Sequence, residues 1–410
     1  MPYSAMGYDR LENINFDRMR KYRLQRTRDA MARYGIGTLI TWDPYMVRYI
    51  SGGYVTVPNR YCGNQGVILP RNGDPHCYFV SSFSPIELSR EAPWLNGKVF
   101  NGLGPWRFNW TQEEVDSCAK VALDVIAEHG LTNEPVALDA CAREVMYIDA
   151  LHRGGVKEVV DGNKLCFEAR SIKNEDEIAC LKMAITAADA AFEDMRQIIR
   201  PGTRECELLG TGMKRLYDMG CDEVQEFVVA SGPRTNPMHI DFTDRAIKPG
   251  DVICIDVNGA SYMGYKSCYY RTFICGKANQ QVKDVYEECR KMMYDAIEVI
   301  KPGACVDDIR AVWPKSPEYW GYHDWNHVSG YALGHGIGLS LHEQPAMFFA
   351  KPGYGPNTVF EEGMTIAIET WAGPRTGGYG VRLEEDLVVT KDGYEIITKW
   401  PVDEITECWI

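Results

Sequence analysis

The stretch Gly334-His335-Gly336-Ile337-Gly338 sets one histidine among three glycines, and a second histidine, His342, follows seven positions after the first. Five of the eight histidines of the chain lie between positions 239 and 342. A lone histidine is usually structural, but this clustering among glycines and acids indicates a functional site in the C-terminal half of the chain.

Three acids outside this stretch lie at or near the ends of apolar runs that are predicted strands. They are Asp256, Glu369 and Glu384. An acid that ends an apolar run such as Val252–Ile255 is expected to be largely desolvated. Burying an ionised carboxylate is costly unless it is paired or bound to a cation.

On the residues alone, two interpretations of these acids stay open. Three buried carboxylates together with His335 are one reasonable way to hold a hard or borderline divalent metal. In the alternative, the acids form ion pairs with neighbouring basic residues such as Arg271 and Arg382.

Composition and charge narrow the class of protein. The chain has 410 residues, 45% of them hydrophobic and 25% charged, which predicts a globular protein of two domains. The 44 basic residues against 57 acidic ones give a net charge of −13, which argues against a nucleic-acid partner. No apolar run approaches the roughly 18 residues that span a bilayer, so no membrane partner is expected. The N-terminus has no secretory signal pattern, and the fourteen cysteines include no CxxC pair; both favour reduced thiols in the cytoplasm.

The pattern of helices and strands changes along the chain. Helical and strand-like segments alternate over about residues 16–165, which predicts an α/β domain. A long amphipathic helix is predicted over 174–198, and strands in runs with interspersed long helices follow it. This second part is typical of an α+β domain, and we place the two domains at 1–165 and 166–410.

Taken in order, these phrases resemble the pita-bread family, which includes methionine aminopeptidase, aminopeptidase P, prolidase, creatinase and a branch of dimethylsulfoniopropionate lyases. The resemblance covers essentially the whole chain, since the creatinase and aminopeptidase P members also carry an N-terminal α/β domain of this size. It implies a creatinase-type N-terminal domain followed by a pita-bread catalytic domain.

The family usually holds two adjacent metals with two aspartates, one histidine and two glutamates. Matched phrase by phrase, four of these five positions are filled here, by Asp256, His335, Glu369 and Glu384. The second aspartate position carries Cys268, and its loss undermines a two-metal site. As a thiolate, Cys268 would favour softer ions such as zinc or iron over magnesium or manganese. The resemblance therefore implies one divalent metal (iron, zinc or manganese), and a site without metal stays an alternative in which Cys268 is only a buried thiol.

The resemblance also implies groups for proton transfer. His239, eleven residues before Gly250, matches a substrate-facing catalytic histidine, and His342 matches a histidine that contacts the scissile group in the peptidases. Tyr331 stands where aminopeptidase P has another histidine. A neutral imidazole is suited to moving protons near pH 7. Glu369 is expected to orient or deprotonate the attacking water.

Substrate-binding residues are predicted in both domains. Arg382 and Arg60 could grip a carboxylate, because a guanidinium binds a carboxylate through two parallel hydrogen bonds. Trp42 and Tyr61 could contact a cationic group through their rings. We therefore expect a small substrate with a carboxylate, zwitterionic if both kinds of contact are made. Family members with this N-terminal domain are usually dimers, so a homodimer is expected.

The first interpretation of function is a hydrolase that cleaves a C–N bond in such a small molecule, with His239 as acid and base. A dimethylsulfoniopropionate-type lyase is the second, because the stretch from Ser231 to Pro237 is similar to those lyases. Against it, the run Leu339-Ser340-Leu341-His342 lacks the acid expected as base. An Xaa-Pro dipeptidase and a non-catalytic binding module are further alternatives.

Overall fold

The computed structural model of the chain describes residues 14–53, 65–79, 92–101, 111–141, 144–236, 241–320, 322–325, 334–347, 355–374 and 377–410. The chain divides into two compact units, Met1–Arg170 and Ser171–Ile410.

The described residues of the N-terminal unit form one mixed sheet and five helices. Its strands are β1 (Thr38–Thr41), β2 (Gln65–Pro70), β3 (His76–Phe79), β4 (Val99–Asn101), β5 (Val136–Asp139) and β6 (Val159–Asp161). Its helices are α1 (Phe16–Arg33), α2 (Pro44–Ser51), α3 (Gln112–Glu128), α4 (Glu144–Arg153) and α5 (Asn163–Ser171). The strand order is β4-β3-β2-β1-β5-β6, with β1 parallel to β5 and antiparallel to β2. This is the α/β organisation that the alternating pattern predicts.

The structure corrects the role predicted for Trp42, which lies in the core of this unit. Trp42 is only 3% exposed, and its ring lies edge-on to the Tyr147 ring with centroids 4.8 Å apart. A Cβ added at Gly66 would fall 2.9 Å from the indole Nε1, so strand β2 closes directly over the ring. The sequence prediction was wrong because an aromatic residue at the end of a strand can pack inward as readily as it can face a ligand.

In the C-terminal unit, the residues that the structure describes form two five-stranded sheets and four helices. Its strands are β7 (Glu223–Ser231), β8 (Val252–Tyr262), β9 (Tyr265–Lys266), β10 (Tyr270–Cys275), β11 (Gly334–Gly336), β12 (Glu343–Ala346), β13 (Thr365–Ala372), β14 (Val381–Val389), β15 (Tyr394–Ile396) and β16 (Thr406–Cys408). One sheet has the order β16-β10-β8-β7, with β9 paired to β8, and the other has the order β12-β11-β13-β14-β15. Four helices accompany them: α6 (Glu175–Ile198), α7 (Glu205–Asp218), α8 (Gln280–Ile297) and α9 (Val306–Val312).

Helix α6 begins where its sequence provides partners for the free N–H groups of its first turn. Asn174 accepts hydrogen bonds from the backbone of Asp176 and Glu177, and the Glu177 side chain bonds back to the Asn174 backbone. Such a reciprocal cap stabilises a helix start, and acids in the first turn favour it electrostatically. The alanine-rich inner face is buried, including Ala184, and the helix ends before Pro201 as the sequence predicts.

The second sheet is arranged around strand β13, which is buried along its whole length between β11 and β14. Gly334 has a φ of 132°, and a Cβ at this position would lie 2.0 Å from the carbonyl oxygen of Ala367. A side chain at Gly334 would therefore push β11 away from β13. The glycine before His335 thus sets the position of the histidine relative to the centre of the sheet.

Candidate active site

Both sheets of the C-terminal unit contribute polar side chains to one buried cluster. Asp256 lies on β8, and Cys268 lies in the turn between β9 and β10. His335, Glu369 and Glu384 come from the three adjacent strands β11, β13 and β14. In the register of the second sheet, Glu369 lies directly opposite Glu384. The strands β8, β13 and β14 are buried along their whole length, so the three acids enter the interior as the sequence predicts. The acids lie in the middle of these strands rather than at the predicted ends.

Cys268, His335 and Glu384 form a group whose potential metal-ligating atoms all lie within 4.8 Å of one another. Their residues are 3%, 1% and 0% exposed. The Cys268 Sγ lies 3.6 Å from His335 Nε2, and that nitrogen lies 3.9 Å from Glu384 Oε1. Donors bound to one tetrahedral ion at about 2.0–2.3 Å are separated by about 3.3–3.6 Å. The spacing of these three atoms therefore fits a single divalent cation after small side-chain shifts.

The electrostatics of the cluster also suit a cation. Burial raises the pKa of Glu384 well above its usual range, and the neighbouring Glu369 and Asp256 carboxylates raise it further. Within the part of the chain that the structure describes, neither carboxylate oxygen of Glu384 has a hydrogen-bond partner. Burial lowers the pKa of His335 to about 3, so its imidazole is neutral near pH 7 and keeps a lone pair for a metal.

Asn258 connects two members of the site and was missed from the sequence. The Cys268 Sγ donates to Asn258 Oδ1 at 2.6 Å, and the Asn258 amide donates to Asp256 Oδ2. Asn258 is 5% exposed and lies two residues after Asp256 on the same face of β8. That spacing of two along a strand was the sequence pattern that could have identified it.

Arg382 lies on the site face of β14 and pairs with Glu369. Its Nη2 donates to Glu369 Oε2 at 3.0 Å, and its guanidinium carbon lies 3.9 Å from the centroid of the Tyr270 ring. The ion-pair interpretation is therefore realised for Glu369, while Arg271 pairs with Glu385 instead, at 2.8 Å. These contacts give Arg382 a partner within the protein, and a substrate carboxylate would have to share it.

The remaining predicted residues divide into two groups. His342 is half-buried next to the cluster, and its ring centroid lies 4.3 Å from that of His335 in an edge-to-face arrangement. The predicted residues Arg60, Tyr61, His239 and Tyr331 lie outside the described residues.

Comparison with known proteins identifies the family of the chain. Residues 179–391 match metallopeptidase family M24, and residues 23–172 match the creatinase/prolidase N-terminal domain. The chain belongs to family M24. This confirms the predicted pita-bread fold and two-part architecture. It also confirms the prediction of a hydrolase of the creatinase and aminopeptidase P type. Among the described residues, no helix is long and apolar enough to cross a membrane.

Individual relatives of this M24 chain are dipeptidases. It is 32% identical over 251 residues to an Xaa-Pro dipeptidase from Pyrococcus horikoshii, a match that covers 60% of this chain and 68% of the relative. It is 30% identical over 279 residues to an Xaa-Pro dipeptidase from Pyrococcus furiosus, covering 67% and 77%. The solved Xaa-Pro dipeptidase from Bacillus anthracis superposes with a TM-score of 0.74 at 25% identity, covering 94% of this chain and 99% of that one.

The raised pKa of Glu384 predicts a pH-dependent effect of the substitution Glu384→Gln in metal-free protein. Above about pH 4.5 the unfolded chain ionises this group while the folded protein keeps it protonated, so ionisation favours unfolding as the pH rises. At pH 8 we expect the variant to be more stable than the wild type, with a free energy of unfolding about 1–3 kcal/mol larger. The gain should shrink towards pH 4.5. Urea unfolding of chelator-treated protein at several pH values measures both quantities.

Asp403→Asn is the matched control, because this acid lies at the surface with its side chain 86% exposed. Its effect should stay within about 0.5 kcal/mol at every pH. A Glu384→Gln protein that is less stable than the wild type at pH 8 would contradict the assignment.

Proposed function

We propose that this M24 protein is a metal-dependent dipeptidase that hydrolyses the peptide bond before proline in small Xaa-Pro substrates. The observation that carries the proposal is the buried group of Cys268, His335 and Glu384 within the region that matches family M24. The Xaa-Pro dipeptidases named above support the substrate class. They favour the dipeptidase alternative over the more general C–N hydrolase expected first from the sequence.

An Xaa-Pro dipeptide satisfies the chemical expectations drawn from the sequence. It is a small zwitterion with a free carboxylate, and its cleavage breaks a C–N bond. The dipeptidase proposal therefore keeps the C–N hydrolysis of the first interpretation and specifies its substrate class.

Cys268, His335 and Glu384 are the residues that would hold the metal in this proposal. A divalent ion supplies Lewis acidity to the site and makes water nucleophilic near neutral pH. The neutral imidazole of His335 and the carboxylate of Glu384 provide nitrogen and oxygen donors, and Cys268 adds sulfur. One sulfur, one nitrogen and one oxygen donor form a set that suits zinc or iron better than magnesium.

We assign Glu369 the role of orienting and deprotonating the attacking water. The Glu369 carboxylate accepts a hydrogen bond from Arg382 at one oxygen, which fixes its orientation. An oriented carboxylate in a water-poor site can accept a proton as the water attacks. Arg382 thereby acts as a positioning residue for Glu369, and direct contact with the substrate carboxylate is a second part of the proposal.

We assign two histidines to the step in which a proton is donated to the leaving nitrogen. His342 lies beside His335 and is half-buried, so it can contact both the cluster and a bound molecule. His239 is proposed from the sequence as the substrate-facing acid. An imidazole is suited to this step because it changes protonation near pH 7.

The lyase alternative gains no support from the relatives or from the local structure. The first acid after His335 is Glu343, and it accepts a hydrogen bond from Lys173 at 2.9 Å. Both side chains of this pair are 1% exposed. Glu343 is therefore a buried structural partner rather than a base that faces a substrate.

The proposal includes a homodimer in the cytoplasm. The homodimer is inferred from the resemblance to family members with this N-terminal domain. The thirteen cysteines that the structure describes are all free thiols, which agrees with a reducing compartment.

The first test is hydrolysis by the metal-loaded protein in ¹⁸O-labelled water. We expect proline to be released from Ala-Pro and Gly-Pro, with label in the carboxylate of the other product, because hydrolysis adds a water oxygen to the acyl carbon. Creatine, ectoine, dimethylsulfoniopropionate and Ala-Ala serve as comparison substrates. Proline release must disappear after chelation and return with added metal. Turnover of creatine or ectoine without any Xaa-Pro cleavage would overturn the dipeptidase, and unlabelled elimination products would favour the lyase.

A second test concerns His239. The substitution His239→Ala should lower kcat by about 10²–10⁴, the usual contribution of one positioned acid or base. Metal content and stability should not change, because His239 is not an assigned ligand. His152→Ala on helix α4 of the other unit is the matched control and should keep full activity. A His239→Ala enzyme with wild-type kcat would remove this residue from the mechanism.

A further inference from the structure

Asp386 is a buried acid of the C-terminal unit that the proposed mechanism does not use. It lies two residues beyond Glu384 on strand β14, so both side chains project from the same face of the sheet. Asp386 is 0% exposed. The alternate residues Leu383 and Leu387 belong to the apolar core on the opposite face.

The contacts of Asp386 direct it towards the metal cluster. Its Oδ2 accepts a hydrogen bond from the backbone N–H of Cys268 at 3.2 Å. In the sheet register Asp386 lies opposite Ala367, which in turn lies opposite His335. Asp386 and His335 therefore lie on the same face of the sheet, two strands apart, with the small Ala367 side chain between them. Asp386 contacts the backbone of one proposed ligand and shares a sheet face with the other two.

The second oxygen of Asp386 is left without an internal partner. Among the described residues, Oδ1 is buried and accepts no hydrogen bond. The arginines of the two nearby strands are used elsewhere, since Arg382 donates to Glu369 and Arg271 donates to Glu385. A buried carboxylate oxygen in this state is costly unless a cation is nearby. Both oxygens of Glu384 are in the same state.

We propose that Asp386 supplies, from strand β14, the carboxylate that this chain lacks at position 268, and so completes a site for one thiophilic divalent ion at Cys268, His335 and Glu384. It acts in two ways. Its Oδ2 fixes the backbone of Cys268, and its negative charge attracts the cation.

This inference rests on the metal-dependent function proposed above, but binding is tested without any substrate. The probe is Co²⁺ added to chelator-treated protein, since its absorption reports both the amount bound and sulfur coordination. The key variant is Asp386→Asn, because its side-chain oxygen can still accept the Cys268 N–H while the charge is removed. Asp189→Asn is the control, because this half-buried acid also accepts a backbone N–H, from Trp400 at 3.0 Å.

We expect Asp386→Asn to bind Co²⁺ about 10–100-fold more weakly, as is typical when a carboxylate supporting metal ligands is removed. The apo variant should be at least as stable as the wild type in urea, because an unpaired buried acid has been neutralised. Asp189→Asn should keep wild-type affinity. If Asp386 serves only as an acceptor for the Cys268 backbone, Asp386→Asn will bind Co²⁺ like the wild type, and the proposal fails.

A second pair of variants tests whether a carboxylate at position 268 makes the one at position 386 unnecessary. This test does not depend on the stability of the Asp386→Asn single variant. In protein that carries Cys268→Asp, the added substitution Asp386→Asn should cost less than about threefold in affinity, because the carboxylate is restored at 268. An equal loss in both backgrounds would show that Asp386 acts independently of position 268 and would overturn the proposal. Absence of Xaa-Pro cleavage would not affect either result, so the two proposals can fail separately.

Discussion

The structure of the C-terminal unit depends on one electrostatic constraint, the burial of several carboxylates against a few buried cations. Glu369 has Arg382 as a partner, whereas Glu384 has neutral His335 at 3.9 Å and no hydrogen bond within the described chain. Ordinary cores avoid this arrangement, because a buried charge that lacks a partner costs several kcal/mol or shifts to its neutral form. The arrangement is understandable if a divalent cation belongs there. The fold then serves to hold the acids in place.

The strands provide that rigidity. Strand β13 pairs with β11 and β14 at once, so the positions of His335, Glu369 and Glu384 are fixed by backbone hydrogen bonds across three neighbouring strands. Gly334 permits the close approach of β11 to β13, and Asn258 ties Cys268 to β8. Side chains on strands are set more precisely than side chains on loops, which favours a metal site built in this way.

The burial of the three acids could be predicted from the apolar runs next to them. Their place within the strands could not, because β8, β13 and β14 continue for several residues beyond Asp256, Glu369 and Glu384. Helix α6 was predictable, since its cap residues and alanine-rich face are local features. The state of Cys268 was left open, because spacing along a chain does not give the distance between atoms on different strands. The connection between β9 and β10 in the other sheet carries Cys268, and its sulfur lies 3.6 Å from the His335 Nε2 on β11. Trp42 was misassigned because the chain closes over it through residues distant in sequence, which no local pattern reveals.

The central claim is that Cys268 binds the metal in place of an aspartate. The most direct measurement is X-ray absorption at the metal edge of the purified protein, combined with elemental analysis. We expect about one equivalent of metal with one sulfur neighbour at about 2.3 Å. Two equivalents of metal surrounded only by nitrogen and oxygen neighbours would contradict it.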